Sequence, residues 1–309
     1  MTRLIEKASR KETFRSESAL HEACYASVPI PAIEEILMLH PEAYMIKDGN
    51  GRIPLHWALT SKNQHGKARL VLKAMIHRMD ELDFKKMMMH RNDLGYTALD
   101  HACCSDAPSD IIQCILSICP EAASATNHKR MGKTPLHMLL EHNKSTHKEI
   151  NSTSVCLLLK AFSGAVRVQD RFGNIPLHYA SYPETNSVAF QLLMMYSSNA
   201  SCLDDRNELG YTPLHSACIN DAPVFVIEGL LESCPSAVRQ EDNAGNTPLH
   251  HAFAHGSSLA LKRSLLHVGG EDLFGLVNDR GQVPIQQGML GDVFSILRLM
   301  PHVIKPSMC

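Results

Sequence analysis

The chain has 309 residues, a formal net charge of −2 and 44% hydrophobic residues. This is the composition of an ordinary folded protein, and it excludes a chain that is disordered throughout. Because the charge is near neutral, nothing indicates a nucleic-acid-binding surface. Runs of about 18 apolar residues are absent, so the sequence predicts no membrane-spanning helix.

The N-terminal segment and the cysteines indicate an intracellular protein. Residues 1–7 lack the apolar core of a secretory signal, and Glu6, Glu12 and Glu17 argue against a transit peptide. The ten cysteines form no Cys-x-x-Cys pair, and several recur at equivalent repeat positions, as small buried apolar residues do. We therefore expect free thiols in a reducing compartment, the cytoplasm or the nucleus.

A short motif centred on Pro-Leu-His recurs along the whole chain. Its histidine stands at positions 56, 137, 178, 215 and 250, and degenerate copies have their equivalent residue at 21, 100 and 286. The successive intervals are 35, 44, 37, 41, 37, 35 and 36 residues. A period of this length predicts a stack of similar units in which each unit contacts only its neighbours.

Each unit predicts the same elements in the same order. An Asx-x-x-Gly turn comes first, in which the Asx side chain accepts backbone hydrogen bonds and the glycine takes a positive φ. A Thr-Pro pair then caps the first helix and starts it. A second apolar helix follows, as at Ile111–Leu116, and is often ended by proline. The turns begin at Asp48, Asn92, Asp170, Asn207, Asp242 and Asn278.

The end units depart from the pattern. The first unit has no such turn before Ser18 and is interpreted as an N-terminal cap. The last carries Gln286, Gln287 and Gly288 at the motif and is interpreted as a C-terminal cap.

Departures also occur inside the repeats. Ile53, Ile175 and Val283 replace the capping threonine, which should cost roughly 0.5–2 kcal/mol each unless packing compensates. The long intervals predict insertions near residues 78–91 and 141–154, the second as an extended loop between helices.

The pattern resembles the ankyrin-repeat family, whose motif is Thr-Pro-Leu-His-x-Ala and whose period is about 33 residues. The best copies begin at Thr212 and Thr247. The resemblance implies an all-α solenoid of paired antiparallel helices with β-turn or hairpin fingers. We predict a lead-in at 1–17, a repeat domain of about eight units at 18–300 and a tail at 301–309. The resemblance also implies a structural role for the imidazoles of the motif histidines, which would bond to the backbone and to the threonine hydroxyl. These histidines are His21, His56, His137, His178, His215 and His250.

In proteins that resemble this one, turn tips and first helices form a concave face that holds a protein partner. The sequence therefore predicts a non-enzymatic interaction scaffold with no cofactor or metal. Aromatic and arginine side chains dominate binding at interfaces, so Tyr96, Phe172 and Tyr211 are either exposed binding residues or pack on the neighbouring turn. The predicted partner-binding residues are Arg52, Trp57, Tyr96, Arg130, Lys133, Arg171, Phe172, Asn174, Tyr211, Asn246 and Gln282. The interiors of the turns add Leu94, Met131, Glu208 and Leu209.

Two alternatives stay open at this point. One is a metal- or thiol-dependent sensor or enzyme that uses His142, His147 or Cys103, although no known catalytic motif is present. The other is a homo-oligomeric structural protein that self-associates through the apolar stretch from Val293 to Met300.

Overall fold

The computed structural model describes residues 19–25, 28–40, 42–60, 65–146, 149–183, 185–197 and 204–288. Over these residues the regular elements are helices, and the only β pairing is an isolated bridge between Asn127 and Lys133. The predicted all-α class is therefore confirmed. None of the described helices is long and apolar enough to cross a membrane. The predicted lead-in, the tail and the stretch from Val293 to Met300 lie outside the described residues.

Backbone contacts divide the chain into two compact units: residues 1–146 with 151–165, and residues 147–150 with 166–309. In the first unit, each first helix packs on the next first helix, and each second helix packs on the next second helix. The first helices are α1 (Ala19–Tyr25), α3 (Pro54–Thr60), α6 (Ala98–Cys104) and α8 (Pro135–Thr146). The second helices are α2 (Ile30–Leu39), α4 (His65–Arg78), α7 (Ser109–Ile118) and α9 (Ser152–Ala161), and α5 (Glu81–Met88) is inserted after α4.

The second unit repeats the arrangement. Its first helices are α10 (Pro176–Tyr179), α12 (Pro213–Ile219) and α14 (Pro248–Ala254), followed by a 3-10 helix at Pro284–Gln287. Its second helices are α11 (Ser187–Ser197), α13 (Val224–Ser233) and α15 (Leu259–Gly269). Further 3-10 helices lie at Ala43–Met45, Pro120–Ser124, His128–Arg130, Ser163–Arg167, Pro235–Arg239 and Glu271–Gly275.

The core of both units is built from the motif itself. The alanine two residues after the motif position is fully buried, which lets neighbouring first helices approach closely: Ala23, Ala58, Ala102, Ala180, Ala217 and Ala252. The motif leucines are at most 1% exposed: Leu20, Leu55, Leu99, Leu136, Leu177, Leu214 and Leu249. Burial of a leucine side chain stabilises a fold by about 1.5–3 kcal/mol, so each motif leucine contributes to the stability of its repeat.

Two of the repeats that lack the capping threonine keep the histidine bond at the helix start that the threonine-containing repeats also have. The backbone N–H of Ile53 donates to Nδ1 of His56 at 3.1 Å, and that of Ile175 donates to Nδ1 of His178 at 3.2 Å. Both isoleucine side chains are fully buried. The imidazole therefore supplies an acceptor at the helix start, and packing offsets the missing hydroxyl.

The two insertions are more ordered than their polar composition indicates. In the first, Asp80 caps α5, which buries Phe84, Met87 and Met88. In the second, the prediction of an extended loop from Glu141 to Ser154 was wrong over the first residues, since α8 continues to Thr146. Buried Leu139 and Leu140 hold that extra turn of helix.

Candidate functional site

The turn that precedes each first helix is closed by its Asx side chain. In the turn at Asp48, Oδ1 accepts the backbone N–H groups of Asn50 and Arg52, each at 2.8 Å. The glycine of this turn, Gly51, has a φ of 69°, in the left-handed region. Equivalent side-chain bonds close the turns at Asn92, Asp170, Asn207, Asp242 and Asn278.

Neighbouring turns within a unit are joined through their backbones. In the first unit, the N–H of Asp93 donates to the carbonyl of Asn50 at 2.9 Å. In the second, Glu208 donates to Phe172 at 2.8 Å and Asn243 donates to Leu209 at 3.1 Å. The turns of a unit therefore form a connected row, and their side chains are presented from a backbone that is already ordered.

Motif histidines add a second link between neighbouring repeats. Nδ1 accepts an N–H at the start of its own helix, and Nε2 donates to a carbonyl of the next turn. His178 bonds to Tyr211 in this way at 2.8 Å, and His215 bonds to Asn246 at 3.1 Å. Burial, opposed by these carbonyls, lowers the pKa of His178 and lowers that of His215 to about 4. The neutral imidazole is therefore the form that fits, and these histidines are unsuited to proton transfer near pH 7.

Most of the predicted tip residues are held by contacts inside the chain. The guanidinium of Arg52 lies 4.5 Å from the Trp57 ring and pairs with Asp48 at 3.0 Å. The Tyr211 ring lies 5.0 Å from that of His251. Tyr96, Tyr211, Arg52, Asn174, Asn246 and Gln282 are half-buried, rather than exposed tips, and Trp57 on α3 is half-buried as well. The residue after the turn glycine lies at the base of the finger, which explains this difference from expectation.

The side chains that project from the turns lie just before the glycine. Leu94 is 65% exposed, Leu209 59% and Phe172 46%. Arg130 and Arg171 are also exposed. We call Leu94 in the first unit, with Phe172 and Leu209 in the second, the apolar turn residues. Exposed apolar side chains on ordered backbone are typical of surfaces that bind other proteins.

Three predicted residues, Tyr96, Arg130 and Lys133, meet at one cavity of about 410 Å³ in the first unit. Lys133 is 6% exposed because its ammonium is bonded to Oε1 of Glu141 at 2.6 Å. The Arg130 guanidinium lies 5.4 Å from the centre of the Tyr96 ring. The sequence prediction missed Lys129, which lies in the same turn, and it missed Met138 and Glu141, because α8 is brought to the turn only by packing.

The metal and thiol alternatives find no site among the described residues. Over the described part of the chain, no group of three or more His, Cys, Asp or Glu residues could hold a metal ion. His147 lies outside the described residues. Cys103 is fully buried, and burial raises the pKa of its thiol well above the usual value, so it is a poor nucleophile.

Comparisons with known proteins agree on the type of repeat. Residues 180–273 match a family model described as ankyrin repeats, in three copies. A 218-residue stretch is 26% identical to the probable 26S proteasome regulatory subunit p28 of Saccharomyces cerevisiae, spanning 69% of this chain and 85% of that one.

Two further sequence matches are shorter. NF-kappa-B inhibitor alpha of Gallus gallus is 35% identical over 85 residues, 28% of this chain and 26% of that one. Human Inversin is 31% identical over 129 residues, 40% of this chain, but the match spans only 11% of Inversin.

A solved structure covers more of the chain. The ankyrin repeat domain of Bcl-3 superposes with a TM-score of 0.55 at 22% identity, covering 81% of this chain and 99% of that domain. This likeness concerns the fold. Together with the repeated motif, the closed turns and the paired helices, it shows that the chain has the fold of an ankyrin-repeat domain, with three such repeats matched at residues 180–273.

Proposed function

We propose that this chain is a non-enzymatic adaptor that binds a protein or peptide through its turns and first helices. The observation that carries the proposal is that each compact unit has apolar turn residues exposed on a backbone that neighbouring turns hold in place. Because these turns are already ordered, little conformational entropy would be lost when a partner binds. More of the interaction energy would therefore appear as binding affinity.

The related proteins support the same kind of role. The yeast relative is named as a regulatory subunit of a larger assembly, and the avian relative as an inhibitor of another protein. Both names describe proteins that act on other proteins. We infer a protein partner here and leave its identity to experiment.

A cytoplasmic or nuclear location goes with this proposal. It is supported by the eight described cysteines, all of which are free thiols. Cys24, Cys103 and Cys218 are fully buried at equivalent positions, where they pack as small apolar residues.

Affinity capture with quantitative mass spectrometry tests the proposal. The variant carries Leu94→Ser, Phe172→Ser and Leu209→Ser, which shorten exposed side chains and leave the buried tip contacts intact. The control carries Met38→Ser, Val188→Ser and Val268→Ser on second helices, at 74%, 53% and 42% exposure. We expect specific partners to be lost from the variant and retained by the control. Identical partner sets for both would contradict the proposal.

A further inference from the structure

One turn of the first unit differs from all the other Asx turns described. From Asn127 to Lys133 it is two residues longer than the turn from Asp48 to Arg52, although the same backbone bond closes both, at 2.8 Å. The extra length forms the 3-10 helix His128–Arg130. It also places Met131 in the left-handed region at a φ of 64°, which non-glycine residues rarely occupy.

This longer turn forms one wall of the cavity of about 410 Å³, which we call the basic pocket. Its lining carries three cationic side chains, Lys129, Arg130 and Lys133, against the single carboxylate of Glu141. The whole chain has a net charge of −2, so the positive character is local to this pocket. Charge complementarity therefore favours an acidic ligand.

Glu141 shows how a carboxylate is held at one side of the pocket. Its Oε1 accepts from the Lys133 ammonium at 2.6 Å, and the Lys133 side chain is only 8% exposed. This pair fixes the lysine and leaves the exposed cations of the turn for other ligands. Among the described residues, neither Arg130 nor Lys129 forms an ion pair with a carboxylate, and the Lys129 ammonium bonds to the backbone carbonyl of Asp93 at 2.7 Å.

The remaining lining is apolar and aromatic. Tyr96 lies under the Arg130 guanidinium, with ring and guanidinium carbon 5.4 Å apart, so the arginine is oriented before any ligand arrives. Met131 is 43% exposed, and Met138 lines the same cavity. Methionine side chains adapt to ligands of different shape.

We propose that the basic pocket binds an acidic segment of a protein partner. A carboxylate of that segment bonds to Arg130 and Lys129, and a neighbouring apolar side chain packs on Tyr96, Met131 and Met138. An arginine fork matches a carboxylate with two parallel hydrogen bonds. The inference rests on the proposed function, since it names the chemistry of a partner that the turns would hold.

The first step of the test is selection of peptides from a phage-displayed library of random 12-residue peptides, with the full chain as target. A parallel selection uses the variant Lys129→Glu with Arg130→Glu, and another uses the control Arg263→Glu, an exposed residue on α15. We expect Asp and Glu beside an apolar residue to be enriched on the parent and on the control. The double variant should lose this enrichment.

The second step measures the affinity of one selected peptide, labelled with fluorescein, by anisotropy. We expect the double variant, or replacement of the peptide carboxylates by amides, to weaken binding at least about tenfold, and added salt to weaken binding to the parent. Enriched peptides without acidic residues, or equal binding by the double variant, would overturn the basic pocket and leave the adaptor role standing. Absence of any enrichment would also overturn the pocket, and the adaptor role would then be decided by the capture experiment.

Discussion

The indole Nε1 of Trp57 donates a 2.8 Å hydrogen bond to Oδ2 of Asp48, nine residues earlier. Oδ1 of the same carboxylate closes the turn, so one side chain joins the turn to the first helix that follows it. The same nine-residue relationship links Tyr179 to Asp170 at 2.6 Å. In the third case, Nε2 of His251 lies 2.8 Å from Oδ2 of Asp242. Because each carboxylate serves both elements, disturbing the helix residue should loosen the turn.

The clearest test of this link is Tyr179→Phe, which removes only a hydroxyl. A hydrogen bond to a buried carboxylate is worth about 1.5–3 kcal/mol, so we expect the unit to be destabilised by a similar amount. Amide hydrogen exchange should become faster in the turn from Asp170 to Asn174. Tyr196→Phe, on the half-buried face of α11, is the control, and equal exchange in both variants would show that the bond does not hold the turn.

The motif histidines predict a loss of stability in acid. Burial lowers the pKa of His56 well below its usual value, and lowers those of His178, His215 and His250 less strongly. In the unfolded chain these rings titrate near the ordinary value of about 6.5. The unfolded state therefore takes up more protons as the pH falls below that value, and stability decreases towards pH 4.

His215→Gln tests this account, because Gln286 already occupies the equivalent position in the last repeat. There the amide Oε1 accepts the N–H of Val283 at 2.9 Å, as a histidine Nδ1 does elsewhere. We expect the variant to lose less thermal stability than the parent between about pH 7.5 and pH 5. An unchanged pH dependence would mean that His215 titrates alike in the folded and unfolded states.

Asp100 replaces the histidine in the third repeat. Its effect on the stability of the chain should depend on pH in the direction opposite to that of the histidines. Its Oδ2 accepts the N–H of Thr97 at 2.9 Å, but Oδ1 is buried without a hydrogen-bond partner. Burial, opposed by the bonds to Thr97, raises the pKa of Asp100 to about 6. The charged carboxylate therefore destabilises the folded state above pH 6. This destabilisation decreases as the folded state takes up a proton in acid.

Asp100→Asn removes the charge and keeps an acceptor for Thr97. We expect it to stabilise the chain by about 1–3 kcal/mol near pH 7.5 and to lose about half of this advantage near pH 5. Urea denaturation at the two pH values measures both differences. A variant that is less stable than the parent at pH 7.5 would show that the carboxylate is needed in the capping box.

Two of the turn glycines allow the conformational cost of a substitution to be measured separately from the cost of a steric clash. A Cβ on Gly210 would lie 2.6 Å from the backbone nitrogen of Asn243, whereas one on Gly281 would have no described atom within 4 Å. Both residues have positive φ, at 80° and 69°. We expect Gly281→Ala to cost about 1 kcal/mol for conformation alone and Gly210→Ala to cost more, as measured by thermal unfolding. Equal costs would mean that the next turn yields without penalty.

Much of the fold could be predicted because the same short sequence pattern recurs in each repeat. Turn, cap, buried leucine and small alanine recur, so a weak signal in one unit is reinforced by the others. The length of α8 could not be predicted, since the polar residues after Leu140 carry no sign of helix. The basic pocket was also beyond prediction, because Tyr96, Arg130 and Glu141 come from three parts of the chain that meet only through packing.

The predicted binding residues that directly follow the turn glycine are less exposed than the predicted turn residues that precede it. Tyr96 and Tyr211 follow the glycine and pack against the next element, whereas Leu94 and Leu209 precede it and project. Position relative to the glycine decides exposure, and the type of side chain does not reveal it.

The central claim is that the apolar turn residues bind a protein. Its most direct test is isothermal calorimetry of a purified, captured partner with the parent, the triple turn variant and the triple control variant. We predict that the triple turn variant binds at least about tenfold more weakly, a loss of about 1.4 kcal/mol, and that the control binds like the parent. Equal affinity of the turn variant and the parent would contradict the claim.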